Sequence, residues 1–162
     1  MEERWTAFVD GRRLERVVEV VTVAAFLEPT CACGSLCMGR YRFWYERAGS
    51  LFMVEVDRIR LGWALDELLE AVPPGGYAAL PRLARDWNED TGWCGLGAHF
   101  GSAVTADEVT AFAAALEPHL DGPHQNDPPH DRPHRGVGFT AALQDLARAA
   151  VAAGAPMWAM ED

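Results

Sequence analysis

A chain of 162 residues and 17.8 kDa has the commonest single-domain size, which argues against two full domains. It is 49% hydrophobic and 23% charged with a mean hydropathy of -0.08, which excludes wholesale disorder; without a short repeat, a collagen-like or coiled-coil fibre is excluded too. The net charge of -10, with 24 acidic residues against 14 basic ones and a pI of about 4.9, disfavours phosphate backbones and anionic lipid and favours a basic protein surface.

Every basic residue is arginine and none is lysine, which with the many Ala, Gly, Pro and Val residues reads as a GC-rich coding bias. The first residues, Met1-Glu2-Glu3-Arg4, are acidic where a secretory leader is basic. The most apolar stretch, Val17 to Leu27, is too short to span a bilayer and carries Glu19. A cytoplasmic location is therefore expected. In that reducing setting the four cysteines are thiols or metal ligands before they are disulfides.

In chain order, Arg4 to Val9 suit a short strand ending at the Asp10-Gly11 turn signal. Residues 12–26 carry two conflicting signals. Leu14, Val17, Val18, Val21 and Ala25 recur at helical spacing, whereas the density of Val and Thr from Val17 to Val23 favours a strand. The spacing tips the reading slightly towards helix. Arg40 to Glu46 and Leu51 to Asp57 then form a hairpin around Arg47-Ala48-Gly49-Ser50. The register sets Tyr45 opposite Phe52, Phe43 opposite Val54 and Tyr41 opposite Val56 on one face. On the other face Arg42 meets Glu55, Arg40 meets Asp57 and Trp44 meets Met53. Each matched pair contributes about 0.2–1 kcal/mol, and a slip of one residue would undo both patterns.

Helical signals follow. Leu65, Leu68, Leu69 and Val72 make one stripe, stopped by Pro73-Pro74-Gly75-Gly76, and Leu80, Leu83, Ala84 and Trp87 make a second. Thr105 and Glu108 have capping-box spacing ahead of Val109, Phe112, Ala113 and Leu116. Residues 121–136, rich in Pro, His, Asp and Gly, read as a flexible loop. A last helix from Thr140 to Ala153 is expected to bury Leu143, Leu146, Ala147 and Val151 and to end at Gly154 and Pro156. The fold class is α+β: a single domain over residues 1–162, with an N-terminal antiparallel sheet holding the 40–57 hairpin and C-terminal helices covering it. The expected core comprises Phe43, Phe52, Val54, Leu68, Leu69, Leu83, Val109, Phe112, Leu116, Leu143 and Leu146.

Four segments could carry chemistry. Cys31, Cys33 and Cys37, completed by Cys94 or His99, could hold zinc, which takes four soft ligands tetrahedrally. The spacing lacks a second paired knuckle, so small semi-buried cysteines near a strand start explain it as well. Cys94, with His99 and Asp86 or Asp90 near in sequence, could serve as a catalytic thiol. Its acidic surroundings raise a thiol pKa and blunt reactivity, and no second Cys completes a redox pair. Asp86, Asn88 and Asp90 begin like a calcium loop, but Gly92 and Gly97 stand at the seventh and twelfth positions, where the motif fails. His119, His124, His130 and His134 are too irregularly spaced among prolines for a defined metal site.

The segment from Asp86 to Trp93 also suits protein binding. Asp86, Glu89 and Asp90 supply charge, and Trp87 and Trp93 supply the large aromatics that dominate interface hot spots. The competing explanation buries both tryptophans in the core with an acidic rim. No phosphate loop, Gly-x-Ser-x-Gly elbow or His-Glu-x-x-His helix is present. The expected function is an acidic cytoplasmic protein that binds and inhibits a basic protein partner, in the manner of an immunity protein. A zinc domain built on Cys31, Cys33, Cys37 and Cys94, or a thiol enzyme using Cys94, are the alternatives; no cofactor, nucleic acid or membrane is expected otherwise.

Overall fold

The computed structural model describes residues 2–9, 12–26, 40–88, 104–120 and 138–161. The chain runs through β1 (Glu2–Val9), β2 (Arg12–Phe26), β3 (Arg40–Arg47), β4 (Ser50–Asp57), α1 (Arg58–Glu70), α2 (Arg82–Asn88), α3 (Ala106–Leu120), α4 (Phe139–Ala153) and β5 (Met157–Glu161). A single 3-10 turn, Tyr77–Ala79, precedes α2. The architecture is α+β, one five-stranded sheet in the order β1-β2-β4-β3-β5 with the helices packed on it.

The β3–β4 hairpin has the register that its side-chain pattern dictates, including Phe43 opposite Val54, Arg42 opposite Glu55 and Arg40 opposite Asp57. Its turn is tighter than the four-residue loop read from sequence, because Arg47 also pairs with Ser50. That leaves Ala48 and Gly49 at φ 51 and 84, the doubly left-handed geometry that two-residue hairpins need to match the strand twist. Gly49 adopts it without cost; Ala48 carries a Cβ in a region L-residues avoid.

Residues 12–26 are a strand and not a helix. β2 pairs antiparallel with β1 through Arg12–Glu19, then parallel with β4 from Glu19 to Phe26. The Val and Thr side chains lose rotamer freedom in a helix but pack well on a pleated surface, and two flanking strands supply the ladder. A bulge leaves Val23 without a β4 partner between Thr22 and Ala24. The sheet is consequently mixed, not purely antiparallel as expected. β5, which the sequence did not announce, adds antiparallel to β3.

The helices cover the face carrying Tyr41, Phe43, Tyr45, Val54 and Val56. Phe43, Val54, Leu83, Val109, Phe112, Leu116 and Leu143 are at most 1% exposed, and Leu146 and Leu68 are also buried. Phe43 lies between Phe112 and Phe139, with ring centroids 6.0 and 6.2 Å away. Such fully buried rings and aliphatics contribute about 1.5–3 kcal/mol each. Phe52 and Leu69 are half-buried; Phe52 stacks on Tyr45 at 5.3 Å. Val151 is 66% exposed, against expectation, because Leu143, Leu146, Ala147 and Ala150 complete the buried stripe and the next position points off it. Gly154, at φ 62, ends α4 as expected: its N–H bonds Val151 and that of Ala155 reaches Ala150.

Candidate functional site

Leu83 and Ala84 are buried, so they fix which side of α2 faces the core and leave Arg82 and Asp86 on its flank. Arg82 forks onto Glu108 of α3, Nε to Oε1 at 2.5 Å and Nη2 to Oε2 at 2.9 Å. Its Nη1 donates to Asp86 Oδ2 at 3.4 Å, one turn along. Glu108 closes the capping box that the sequence announces. The Thr105 N–H donates to its Oε2 at 2.7 Å, and its own N–H donates to Thr105 Oγ1 at 3.1 Å. The Arg82 hydrogen bond, opposed by burial and aided by Thr105, holds the Glu108 carboxyl at about 2, and Arg82 is raised in turn by Glu108. Tyr77 Oη donates to the Arg85 carbonyl at 3.3 Å. Arg85 Nε is buried without a hydrogen-bond partner among the described residues.

Asp86 thus sits at a corner whose geometry is set by four polar groups, its side chain 24% exposed and engaged by Arg82. Trp87 follows on α2, but its side chain lies outside the described residues, as do Glu89, Asp90 and Trp93. Cys31, Cys33, Cys37 and Cys94 lie outside them too, with His99, His124, His130, His134 and the 121–136 loop. His119 is on α3, with Nδ1 3.6 Å from Glu67 Oε2 of α1. Among the described residues no three His, Cys, Asp or Glu side chains converge as a metal site.

That His119–Glu67 contact places the C-terminal ends of α1 and α3 together. Asp66 and Glu70 of α1 and Glu117 of α3 are exposed there. α1 has no acid in its first turn and no base in its last; Arg58 and Arg60 stand at its start, Glu67 and Glu70 at its end. This order opposes the helix macrodipole, at about 0.3–1 kcal/mol for each charge so placed. This signal needs only the helix boundaries and the residue types, so it is legible in the sequence beside the apolar stripe of Leu65, Leu68 and Leu69.

A second polar cluster lies on the other face of the sheet. Arg42 Nε donates to Glu55 Oε1 at 2.9 Å, and Arg40 Nη1 reaches both Glu55 oxygens at 3.3 and 3.4 Å. Arg42, Glu55 and Asp57 are 8%, 6% and 6% exposed, beside an apolar cluster of Val18, Val20, Trp44, Leu51 and Met53 with Trp158 against it. The alternating pattern gave the cross-strand pairing but not this burial. Removing one partner of such a buried pair typically costs about 3–5 kcal/mol, so the cluster is structural in the first instance.

The chain matches no family model, no curated protein and no solved structure. No described helix is long and apolar enough to cross a membrane.

Proposed function

We propose that this chain is a non-enzymatic binding protein that docks on a basic protein and inhibits it, in the manner of an immunity protein. The observation that carries the reading is the acidic end of α1 and α3. Glu67 and Glu70 put negative charge in the last turn of α1, at a cost to that helix's stability, and Asp66 and the nearby Glu117 add to it, whereas α3 itself follows the rule with Asp107 and Glu108 in its first turn and His119 in its last. Sequences break local rules of this kind where something other than folding requires it. Among the described residues, Arg40 and Arg42 are engaged with Glu55, Arg82 with Glu108 and Arg148 with Asp145.

In this reading the acidic surface steers a basic partner into encounter, and the Asp86–Trp93 segment supplies the anchors. Asp86, Glu89 and Asp90 align the partner, and Trp87 and Trp93 fill pockets on it, a central tryptophan contributing about 2 kcal/mol or more. Cross-linking in source cells followed by mass spectrometry identifies the partner, and binding kinetics then test the roles. A basic partner is expected, with an association rate that falls with salt over a screening length of about 8–10 Å. Glu70→Gln with Glu117→Gln should slow association, whereas Trp93→Ala should speed dissociation. A partner of acidic character, or an association rate indifferent to salt, refutes the proposal.

A further inference from the structure

The two edges of the sheet differ. At one, Val104 bridges to Met157 of β5 by two backbone hydrogen bonds, N–H to O at 2.7 and 3.3 Å, so that edge is partly occupied. At the other, β1 has β2 on one side and no strand among the described residues on its outer side. The β2–β4 ladder begins at Glu19 opposite Ser50, where Ser50 Oγ also donates to Glu19 Oε2 at 2.9 Å. From Val18 to Arg12, β2 pairs with β1 alone over seven residue pairs, and β1 packs substantially on no other described element. Val17, within this ribbon, is 64% exposed, whereas its neighbour Val18 is 5% exposed. A two-stranded ribbon by itself is marginal in water, and an eight-residue open edge is a template for another strand.

The charge distribution says which strand. Residues 2–19 hold five acidic residues and four arginines, so nine of the chain's ten net negative charges lie elsewhere. Two copies of so acidic a protein repel over most of their surfaces and least at this ribbon. We propose that two copies associate through β1, antiparallel about a two-fold axis at Thr6, joining their five-stranded sheets into one.

An axis normal to the sheet keeps each face continuous, so opposed residues must share strand parity. Axes at Glu3 or Arg4 would set like charges opposite each other. The axis at Thr6 sets Thr6 opposite Thr6, Trp5 opposite Ala7, Arg4 opposite Phe8 and Glu3 opposite Val9, with no like charges opposed between these positions; Glu2 falls opposite Asp10, beyond the end of β1. Large meets small, and a cation meets an aromatic position.

The test is sedimentation velocity on the full chain from about 1 to about 100 μM, since the dimer population follows mass action. The wild type is expected to sediment as a dimer at the upper end and Thr6→Lys, which sets two ammonium groups at the axis, as a monomer. Mild oxidation of Thr6→Cys, with peptide mapping, should join the two introduced thiols across the dimer, and this readout stands even where the lysine variant fails to fold. A wild type that stays monomeric throughout overturns the proposal. So does a wild-type dimer in which the introduced thiols do not join. Neither outcome bears on the basic-partner reading, whose tests lie on α1, α3 and the Asp86–Trp93 segment.

Discussion

Glu108→Gln tests the corner on which the proposed docking segment is mounted. The substitution keeps the side chain's shape but removes its charge and one acceptor, so the Arg82 fork and the Thr105 capping bond can no longer both be satisfied as they are. Lowering from the ordinary value of 4.5 to about 2 would correspond to roughly 3 kcal/mol for a fully shielded group. Arg82 and Glu108 side chains are 34% and 30% exposed, so solvent screening reduces this to about 1–2 kcal/mol. The Arg82 hydrogen bond is the largest contribution, ahead of the Thr105 capping bond, which a glutamine oxygen can also accept. In a domain of this size a loss of about 1–2 kcal/mol is a fall in Tm of roughly 3–8 °C at neutral pH.

The pH dependence follows from the sign of the shift. The unfolded chain takes up a proton at Glu108 more readily than the folded one. The contribution is therefore full above about 4.5 and is lost as pH falls towards about 2. Urea titrations of wild type and variant at pH 7, 5 and about 3 measure it. The difference between the two proteins should be unchanged from pH 7 to 5 and should shrink clearly by about pH 3. A difference that persists unchanged at the lowest pH, or one below about 0.3 kcal/mol at pH 7, would refute the electrostatic account of this corner.

Three further outcomes are expected. Ala48→Gly relieves a Cβ at φ 51 in the β3–β4 turn, outweighing the added unfolded-state entropy, and should raise stability by about 0.5 kcal/mol by thermal melting; a loss would show that the turn does not hold this geometry. Trp93→Ala should leave stability within about 1 kcal/mol if Trp93 is an interface anchor, whereas loss of about 3–5 kcal/mol would place it in the core and remove it from the docking surface. Elemental analysis of purified protein should find less than about a tenth of a zinc per chain; stoichiometric zinc would move the reading to Cys31, Cys33, Cys37 and Cys94.

The elements legible in the sequence are those whose determinants are local. The β3–β4 register is specified by side chains at most 17 positions apart, and a slip would exchange its aromatic and charged faces. The Thr105–Glu108 box and the Gly154 stop are each written within a few residues. At the candidate site the acids on α1 and the caps of α3 could be read directly. What joins them could not: the Arg82–Glu108 fork spans 26 positions and the His119–Glu67 contact links two helices.

Tertiary structure alone decided the rest. Val17 to Val23 satisfy a helical and a β pattern at once, and only the presence of β1 and β4 on either side, with a bulge at Val23, selects the strand. β5 is short and becomes a strand by docking on β3, more than a hundred residues earlier in the chain. The burial of Arg42, Glu55 and Asp57 likewise comes from surroundings that alternation along two strands does not encode. Sequence patterns record which side of an element is apolar; whether a polar side is also covered depends on which distant segments reach it, and that is settled by packing across the whole chain.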